Sequence, residues 1–355
     1  MKVIVKEHLD VRVGRPSINA PSYQNIAPGS QLEVEGKLFH GDILRGVNTW
    51  LKDAANNYYW SGSIENIDEI IARAALTEFS ESDFWWHKDF NIGELWRKGL
   101  SGEKVKLAVL DSGIALPHPD LIVNTANFMD LSASGTGITD QTGHGTHVTG
   151  IIKASNNGFG VKGLAFNTDF YLGKITNDIH GDDVQFLVKG VEWAIKNSVD
   201  IISISNGVSA NNSALETAVG KAIAKGILII AAAGNRDSTT GNDILYPARY
   251  ENVLSVAGIT KSKFPLADTI HANKTNIFAP GEEIFSTFLN KAYVNLSGSS
   301  QAAPYVAGIA ALLLEAVRKK NKKYRAHDLR EELMSHADSV EYGKLINPVN
   351  TLNKL

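Results

Sequence analysis

Apolar residues follow two different patterns along this chain of 355 residues. In residues 1–66, short apolar segments are separated by turns rich in proline and glycine, a pattern typical of β-strands joined by tight turns. The segments predicted as strands are 3–5, 9–13, 31–34, 49–52 and 58–61. The first pattern therefore predicts a small all-β domain.

In the second pattern, which begins near Val105, apolar runs alternate with helical stretches, as βαβ units with a parallel sheet require. The predicted strands are 106–110, 170–175, 201–204, 227–232 and 253–258, and the predicted helices begin near His144, Asp182, Asn212 and Ser300. This half of the chain is expected to have an α/β fold. Helical periodicity at 67–76 and polar residues after it predict a linker at 67–83, between domains 1–66 and 84–355.

Composition narrows the function classes. Hydrophobic residues make up 43% of the chain, charged residues 21%, and the net charge is -3, which gives no electrostatic argument for a nucleic-acid or membrane partner. No run approaches the roughly 18 apolar residues of a membrane span, and early charges argue against a signal peptide. As written, the chain looks cytoplasmic, although a mature or trimmed secreted chain looks the same. The absence of cysteine excludes disulfides and a cysteine nucleophile.

The strongest candidate for chemistry is Ser300, which follows Gly298 and Ser299 and precedes a long apolar run. A serine at the start of a buried helix lies beside unpaired backbone N–H groups, which favour the oxyanion formed when its hydroxyl attacks a carbonyl. A serine in this position also acts as an ordinary helix N-cap, so the segment alone does not decide between the two roles.

Three further polar residues lie at the ends of predicted strands or at the start of a predicted helix. Asp111 ends the first strand of the second pattern, His144 begins a helix between two glycines, and Asn235 follows a buried strand. In an open parallel sheet these strand ends form the ligand-binding edge. Alternatives remain for each residue: an aspartate that caps a turn, an asparagine in a turn, and a metal site formed by His144 with His147, for which no third ligand is seen.

Four segments together resemble the subtilisin-type serine peptidases: AVLDSGI, GHGTHVTG, AAAGN and GSSQAAPYVAG. The resemblance extends over residues 84–355 and implies a subtilisin-like parallel sheet with helices on both faces. It also implies a triad of Asp111, His144 and Ser300, with Asn235 as a donor in the oxyanion hole. Departures at Ser299, Gln301 and Ala303 remove no catalytic group.

The same resemblance implies two edges between which a peptide substrate binds as an added strand. The residues of these edges are Ser205, Asn206 and Gly207 on one side, and Ala232, Ala233 and Gly234 on the other. Asn206 stands where the family commonly has leucine, so the usual hydrophobic preference near that wall is in question.

The resemblance further implies a structural Ca²⁺ site. Its ligands are expected to be the side chains of Asp120 and Asn157, the carbonyl oxygens of Ser155, Phe159 and Val161, and Glu81 as an amino-terminal ligand. The alternative is that residues 156–158 form an ordinary turn and that Asp120 simply starts a helix after proline.

In residues 1–66, the segments at 9–14 and 28–34 with Trp50 and Trp60 resemble bacterial Src-homology-3-like barrels. That resemblance implies a peptide or cell-wall ligand, although a packing or folding module without a ligand fits equally well. For the whole chain the expected function is a serine endopeptidase acting on peptides or proteins. The alternatives are a catalytically idle subtilase fold that binds peptides or acts as a scaffold, and an esterase with the same triad.

Overall fold

The computed structural model describes residues 2–35, 39–44, 47–65, 67, 84–176, 183–236, 243–270, 275–320 and 323–355. The chain forms two compact units, Met1–Ser80 with Gly158–Gly160, and Glu81–Asn157 with Val161–Leu355. The predicted linker and Glu81 lie outside the described residues, apart from Ile67, so the domain boundaries stay a prediction.

The first unit consists of short strands, as the first apolar pattern predicted. They are β1 (Lys2–Ile4), β2 (Leu9–Val13), β3 (Ser22–Ile26), β4 (Gln31–Glu33), β5 (Phe39–Leu44), β6 (Val47–Lys52) and β7 (Asn57–Trp60). Five of them form an antiparallel sheet in the order β3-β2-β7-β6-β5, and β1 pairs with β4. Strands β3 and β5 were not predicted, and β3 is largely exposed and lacks apolar alternation.

Aromatic and aliphatic side chains fill the core of this unit, including the buried Trp50 and Trp60. The indole N–H of Trp50 donates to the backbone oxygen of Asp42 at 3.1 Å, so the ring is held within the small core. Both tryptophans also line a cleft together with Asp10 and Arg12. A peptide or cell-wall ligand for this unit stays a prediction.

The second unit is built on a sheet of nine strands, and its α/β class is confirmed. The strands are β8 (Lys106–Asp111), β9 (Phe128–Asp130), β10 (Asp169–Lys174), β11 (Ile201–Ile204), β12 (Leu228–Ala232), β13 (Leu254–Ile259), β14 (Ile277–Pro280), β17 (Asp338–Val340) and β18 (Gly343–Leu345). Their order is β17-β18-β14-β13-β12-β11-β8-β10-β9, and every pair is parallel except β17 with β18. A separate antiparallel hairpin joins β15 (Ile284–Thr287) to β16 (Tyr293–Leu296).

Eight α-helices are found in the described part of the chain, all in the second unit. They are α1 (Trp85–Lys88), α2 (Ile92–Arg97), α3 (His144–Lys153), α4 (Val184–Lys196), α5 (Ser213–Ala224), α6 (Ser299–Lys319), α7 (Leu329–Ser335) and α8 (Pro348–Lys354). Helices α3 and α6 pack on each other, α3 contacts β8, and α6 lies along β11 to β14. Helices α4 and α5 pack on each other and against other strands of the sheet.

Helix α6 is the central element of the core. By length and composition it could cross a bilayer, which corrects the expectation that no run approaches a membrane span, yet 94% of its most apolar stretch is buried inside the protein. Small residues at its start allow close packing, because a Cβ on Gly308 would lie 2.7 Å from the side chain of Leu164. The hydrophobic run after Ser300 is therefore a core helix whose first turn reaches the edge of the sheet.

Candidate active site

Neighbouring parallel strands bring the candidate residues to one edge of the sheet. Strand β8 ends at Asp111, β11 ends just before Ser205, and β12 ends shortly before Asn235. These three strands are adjacent in the order β12-β11-β8, so their carboxyl ends lie at the same edge. This is the edge at which ligands bind in open α/β sheets.

Asp111 and His144 are joined by a hydrogen bond. The distance between Asp111 Oδ1 and His144 Nδ1 is 2.8 Å, and the same oxygen accepts the backbone N–H of Ser112 at 2.8 Å. The Asp111 side chain is only 2% exposed, whereas the His144 side chain is 35% exposed. The aspartate therefore fixes one ring nitrogen of a histidine whose remaining surface is open to a substrate.

The glycine after His144 is required by this close approach. A Cβ on Gly145 would lie 2.4 Å from the backbone oxygen of Gly113 and 3.1 Å from Asp111 Oδ1. Only a residue without a side chain lets the start of α3 approach the turn after β8 so closely.

Asp140 fixes the loop that leads into His144, and the sequence analysis missed it. Its carboxylate is 3% exposed and accepts the hydroxyl of Ser112 at 2.9 Å, the N–H of Gly143 at 2.9 Å, and the N–H and hydroxyl of Thr146 at 2.8 and 2.6 Å. Burial alone raises the pKa of Asp140, but these hydrogen bonds outweigh it and lower the pKa. The available signal was an aspartate in a polar turn four residues before the histidine.

Ser300 lies in the first turn of α6 and is linked to the end of β11. Its hydroxyl donates to the backbone oxygen of Ser205 at 3.1 Å, and the Ser205 hydroxyl donates to the backbone oxygen of Ser300 at 2.8 Å. This reciprocal pair fixes the candidate nucleophile beside one of the two predicted substrate edges. Because α3 and α6 pack on each other, the helices that begin at His144 and Ser299 belong to one packed unit.

Asn235 is oriented by Ser299, a second residue whose role the sequence did not reveal. The side-chain oxygen of Asn235 accepts the N–H of Ser299 at 3.0 Å and its hydroxyl at 3.1 Å, and that hydroxyl accepts the N–H of Gly234 at 3.1 Å. With its oxygen held in this way, the amide directs its NH₂ elsewhere. A Cβ on Gly298 would lie 2.9 Å from Asn235 Nδ2, so the NH₂ faces the chain just before Ser300.

The two predicted substrate edges have different exposure. Ser205, Asn206 and Gly207 are half-buried, whereas Ala232, Ala233 and Gly234 are buried. They continue the adjacent parallel strands β11 and β12, in which Ile204 pairs with Ala231. The edges therefore begin side by side, and their role in substrate binding remains a prediction.

His147 is part of the core and faces away from the site. It is 0% exposed, and its Nε2 lies 2.9 Å from the backbone oxygen of Ile284 and 3.2 Å from that of Val294. Burial lowers the pKa of His147 to about 4, so the ring is neutral and carries its proton on Nε2. Nε2 of His147 therefore donates to the core and is not available as a ligand to a metal shared with His144.

Asp120 and the loop after α3 form the second predicted site. Asp120 is fully buried, and its carboxylate accepts the side-chain NH₂ of Asn157 at 3.1 Å, the N–H of Val161 at 2.9 Å and the hydroxyl of Tyr293 at 3.3 Å. The N–H of Ser155 donates to the Asp120 backbone oxygen at 2.9 Å. Four of the predicted calcium ligands thus lie together, whereas Phe159 belongs to the segment grouped with the first unit and Glu81 lies outside the described residues.

The donor set is compatible with a cation in one respect and requires a change in another. Asp120 supplies a buried carboxylate, which is the kind of oxygen ligand that Ca²⁺ prefers. Asn157, however, presents its NH₂, and its amide must turn over to present oxygen instead. Across the described ranges no group of three or more His, Asp or Glu residues is suited to a metal, so backbone carbonyls have to supply the remaining oxygens.

Comparison with known proteins gives a consistent result. A family model described as the subtilase family matches residues 102–350. The chain is similar to subtilisin DY of Bacillus licheniformis, with 38% identity over 257 residues, which are 70% of this chain and 91% of that protein. It is also similar to a thermostable alkaline protease of Halalkalibacterium halodurans, with 36% identity over 269 residues, 76% of this chain and 71% of that protein. Subtilisin E of Bacillus subtilis is 35% identical over 277 residues, 76% of this chain and 71% of that protein.

Proposed function

The chain belongs to the subtilase family and is a serine endopeptidase, and we propose that Asp111, His144 and Ser300 form its catalytic triad. The observation that carries the proposal is the 2.8 Å hydrogen bond between Asp111 and the half-exposed His144, at the sheet edge where α6 begins. Its substrates are peptides or proteins.

In the proposed reaction, His144 takes the proton of the Ser300 hydroxyl through Nε2 while the hydroxyl oxygen attacks the peptide carbonyl carbon. The hydroxyl first exchanges its hydrogen bond to the Ser205 backbone oxygen for one to the histidine. His144 then returns the proton to the leaving amine. A water molecule then attacks the acyl carbon while His144 takes its proton. The histidine returns that proton to the Ser300 oxygen as the acid is released.

Asp111 holds the histidine ring in one orientation and stabilises its cationic form. The carboxylate is suited to this role because one of its oxygens, Oδ2, is buried and has no hydrogen-bond partner among the described residues. A buried carboxylate of this kind gains more from a neighbouring cation than a solvated one does, because water does not screen the interaction.

The charge that develops on the carbonyl oxygen is proposed to be met by the Asn235 amide and the Ser300 backbone N–H. The contacts from Ser299 to the Asn235 oxygen support this role, since they fix the orientation of the amide in advance. An extended peptide is proposed to lie between the two edges, residues 205–207 and residues 232–234.

Subtilases commonly bind structural calcium. We assign the candidate site in this chain to Asp120, Asn157 and the carbonyl oxygens of Ser155 and Val161, with Phe159 and Glu81 as further predicted ligands. The hydrogen bonds by which Asn157, Ser155 and Val161 converge on the buried Asp120 support the assignment. Calcium supplies charge neutralisation and loop order there, and takes no part in the proposed reaction.

Substitution of the nucleophile tests the proposal. Ser300→Ala is expected to abolish covalent labelling by a fluorophosphonate probe and to lower peptide turnover by about a million-fold. The matched control is Ser297→Ala, which changes an exposed serine of the same segment whose hydroxyl accepts the N–H of Glu283. Intact-mass analysis measures labelling, and a labelled Ser300→Ala protein would show that the nucleophile is another residue.

A further inference from the structure

The crevice between the two proposed substrate edges has a floor formed by a third segment. The N–H of Leu245 donates to the backbone oxygen of Ala233 at 3.0 Å. The next residue, Tyr246, exchanges two backbone hydrogen bonds with Val208, at 2.8 and 2.9 Å. Residues 245 and 246 therefore connect both edges, and three backbone hydrogen bonds fix the position of this floor.

The Leu245 side chain fills the space between the glycines of the two edges. A Cβ on Gly207 would lie 2.9 Å from Leu245 Cβ, and a Cβ on Gly234 would lie 2.8 Å from Leu245 Cγ. Both glycines thus leave room that the leucine already occupies. Leu245 is half-buried, so part of its side chain remains accessible.

A bound peptide has to use this crevice if Ser300 is the nucleophile. Its carbonyl carbon lies at the Ser300 hydroxyl, beside Ser205, and its oxygen lies toward the amide of Asn235. The side chain of the residue that supplies this carbonyl then points between the two edges. At the point where the leucine lies, the two edges contribute the glycines Gly207 and Gly234, so the leucine limits the depth of the crevice.

We infer that Leu245 restricts the residue on the acyl side of the cleaved bond to small side chains such as alanine, glycine or serine. Larger aromatic or aliphatic side chains meet the leucine before their carbonyl carbon reaches Ser300. The inference rests on the proposed function and names the substrate class for the same site.

Two peptide substrates that differ in one residue test it. We compare kcat/KM for succinyl-Ala-Ala-Pro-Ala and succinyl-Ala-Ala-Pro-Phe p-nitroanilides, where the last residue supplies the scissile carbonyl. The unmodified enzyme is expected to favour alanine by about 10-fold or more, since pocket size discriminates by roughly 10- to 200-fold. Leu245→Ala is expected to shift the ratio toward phenylalanine by about the same factor.

The matched control is Leu131→Ala, which truncates another half-buried leucine that packs on a glycine, Gly173, outside the crevice. Its ratio is expected to equal that of the unmodified enzyme. Active sites are counted with the fluorophosphonate probe, so that a partly unfolded Leu245→Ala sample does not change the result. The ratio of kcat/KM for the two substrates in the unmodified enzyme tests the inference even if Leu245→Ala does not fold.

The outcomes separate the two proposals. An unmodified enzyme that cleaves after phenylalanine as fast as after alanine, or a Leu245→Ala ratio that does not move, overturns the inference and leaves the triad intact. An enzyme that neither reacts with the probe nor cleaves either peptide overturns the proposed triad, and the inference fails with it.

Discussion

The two ends of helix α3 each lie near a buried aspartate, and the two carboxylates are held in different ways. Asp111, beside the first residue of the helix, is 2% exposed and receives both of its hydrogen bonds on one oxygen, from His144 and Ser112. Asp120, beside the loop after the helix, is 0% exposed and receives hydrogen bonds on both oxygens.

This difference shows that burial of a carboxylate does not by itself indicate its role. The partner of Asp111 is a half-exposed histidine that becomes a cation when it takes a proton, so the attraction between the two side chains increases during a proton transfer. Asp120 instead accepts hydrogen bonds from an amide, a backbone N–H and a tyrosine hydroxyl, which do not change charge near neutral pH. One end of the helix is therefore suited to catalysis and the other to holding the fold.

The largest predicted effect compares the same substitution at the two ends. Asp111→Asn is expected to lower kcat/KM by on the order of 10⁴-fold, because an amide no longer stabilises the histidine cation. The free energy of unfolding should change by less than about 1 kcal/mol, since the shape is retained. Turnover per probe-labelled site gives the first quantity and urea unfolding the second.

Asp120→Asn is expected to show the opposite result. The amide NH₂ faces donors, and the loss of acceptors for Val161 and Tyr293 should cost about 1 to 3 kcal/mol of stability, whereas turnover per folded site stays within about 10-fold. All unfolding measurements use a Ser300→Ala background to prevent self-digestion. If both variants lose activity equally and keep their stability, the two ends do not differ as described.

Much of the fold and the candidate site was predictable because their signals are local in sequence. The strand that ends in Asp111 and the apolar helix after Ser300 each have a continuous pattern, and both are present as predicted. In the first unit, β3 (Ser22–Ile26) escaped prediction because exposed polar residues on both faces leave no alternation.

The supporting residues were not predictable for a different physical reason. The role of Asp140 depends on a contact with Ser112, 28 residues away, and that of Ser299 depends on Asn235, 64 residues away. Leu245 meets Gly207 and Gly234 only after the sheet has formed. A spacing along the chain does not encode such contacts, so only the folded arrangement reveals these residues.

The next predicted effect is a pH dependence of stability caused by His147, in the middle of α3. The folded-state pKa of His147 is about 4 because the ring is buried, whereas an unfolded histidine titrates near 6.5. Between these values the unfolded chain binds a proton that the folded chain does not bind. The free energy of unfolding should therefore fall by about 3 kcal/mol as the pH decreases from about 6.5 to about 4, and His147 should contribute nothing further above that range.

Urea unfolding at several pH values in the Ser300→Ala background measures this dependence. Comparison with His147→Gln separates the contribution of the histidine from that of carboxylates that titrate in the same pH range. Glutamine retains an N–H donor for the backbone oxygens of Ile284 and Val294 but has no titration. The two proteins should differ in slope between pH 6.5 and pH 4. Parallel curves would show that His147 is not the group that couples stability to pH here.

The last predicted effect sharpens the contrast at the far end of α3. If calcium binds at Asp120, Asn157 and the neighbouring carbonyls, a concentration about a hundred times the dissociation constant should add about 2.7 kcal/mol to the free energy of unfolding. Thermal melting in the Ser300→Ala background, with calcium, with chelator and with magnesium at equal concentration, measures the effect. Magnesium should do less, because it requires a tighter octahedral set of ligands than a loop of carbonyls provides.

Asp120→Asn should remove the response to calcium, and His147→Gln should leave it unchanged. A melting curve that is insensitive to chelator, and equally insensitive to Asp120→Asn in excess calcium, would mean that the loop is an ordinary turn and that hydrogen bonds alone satisfy the buried carboxylate.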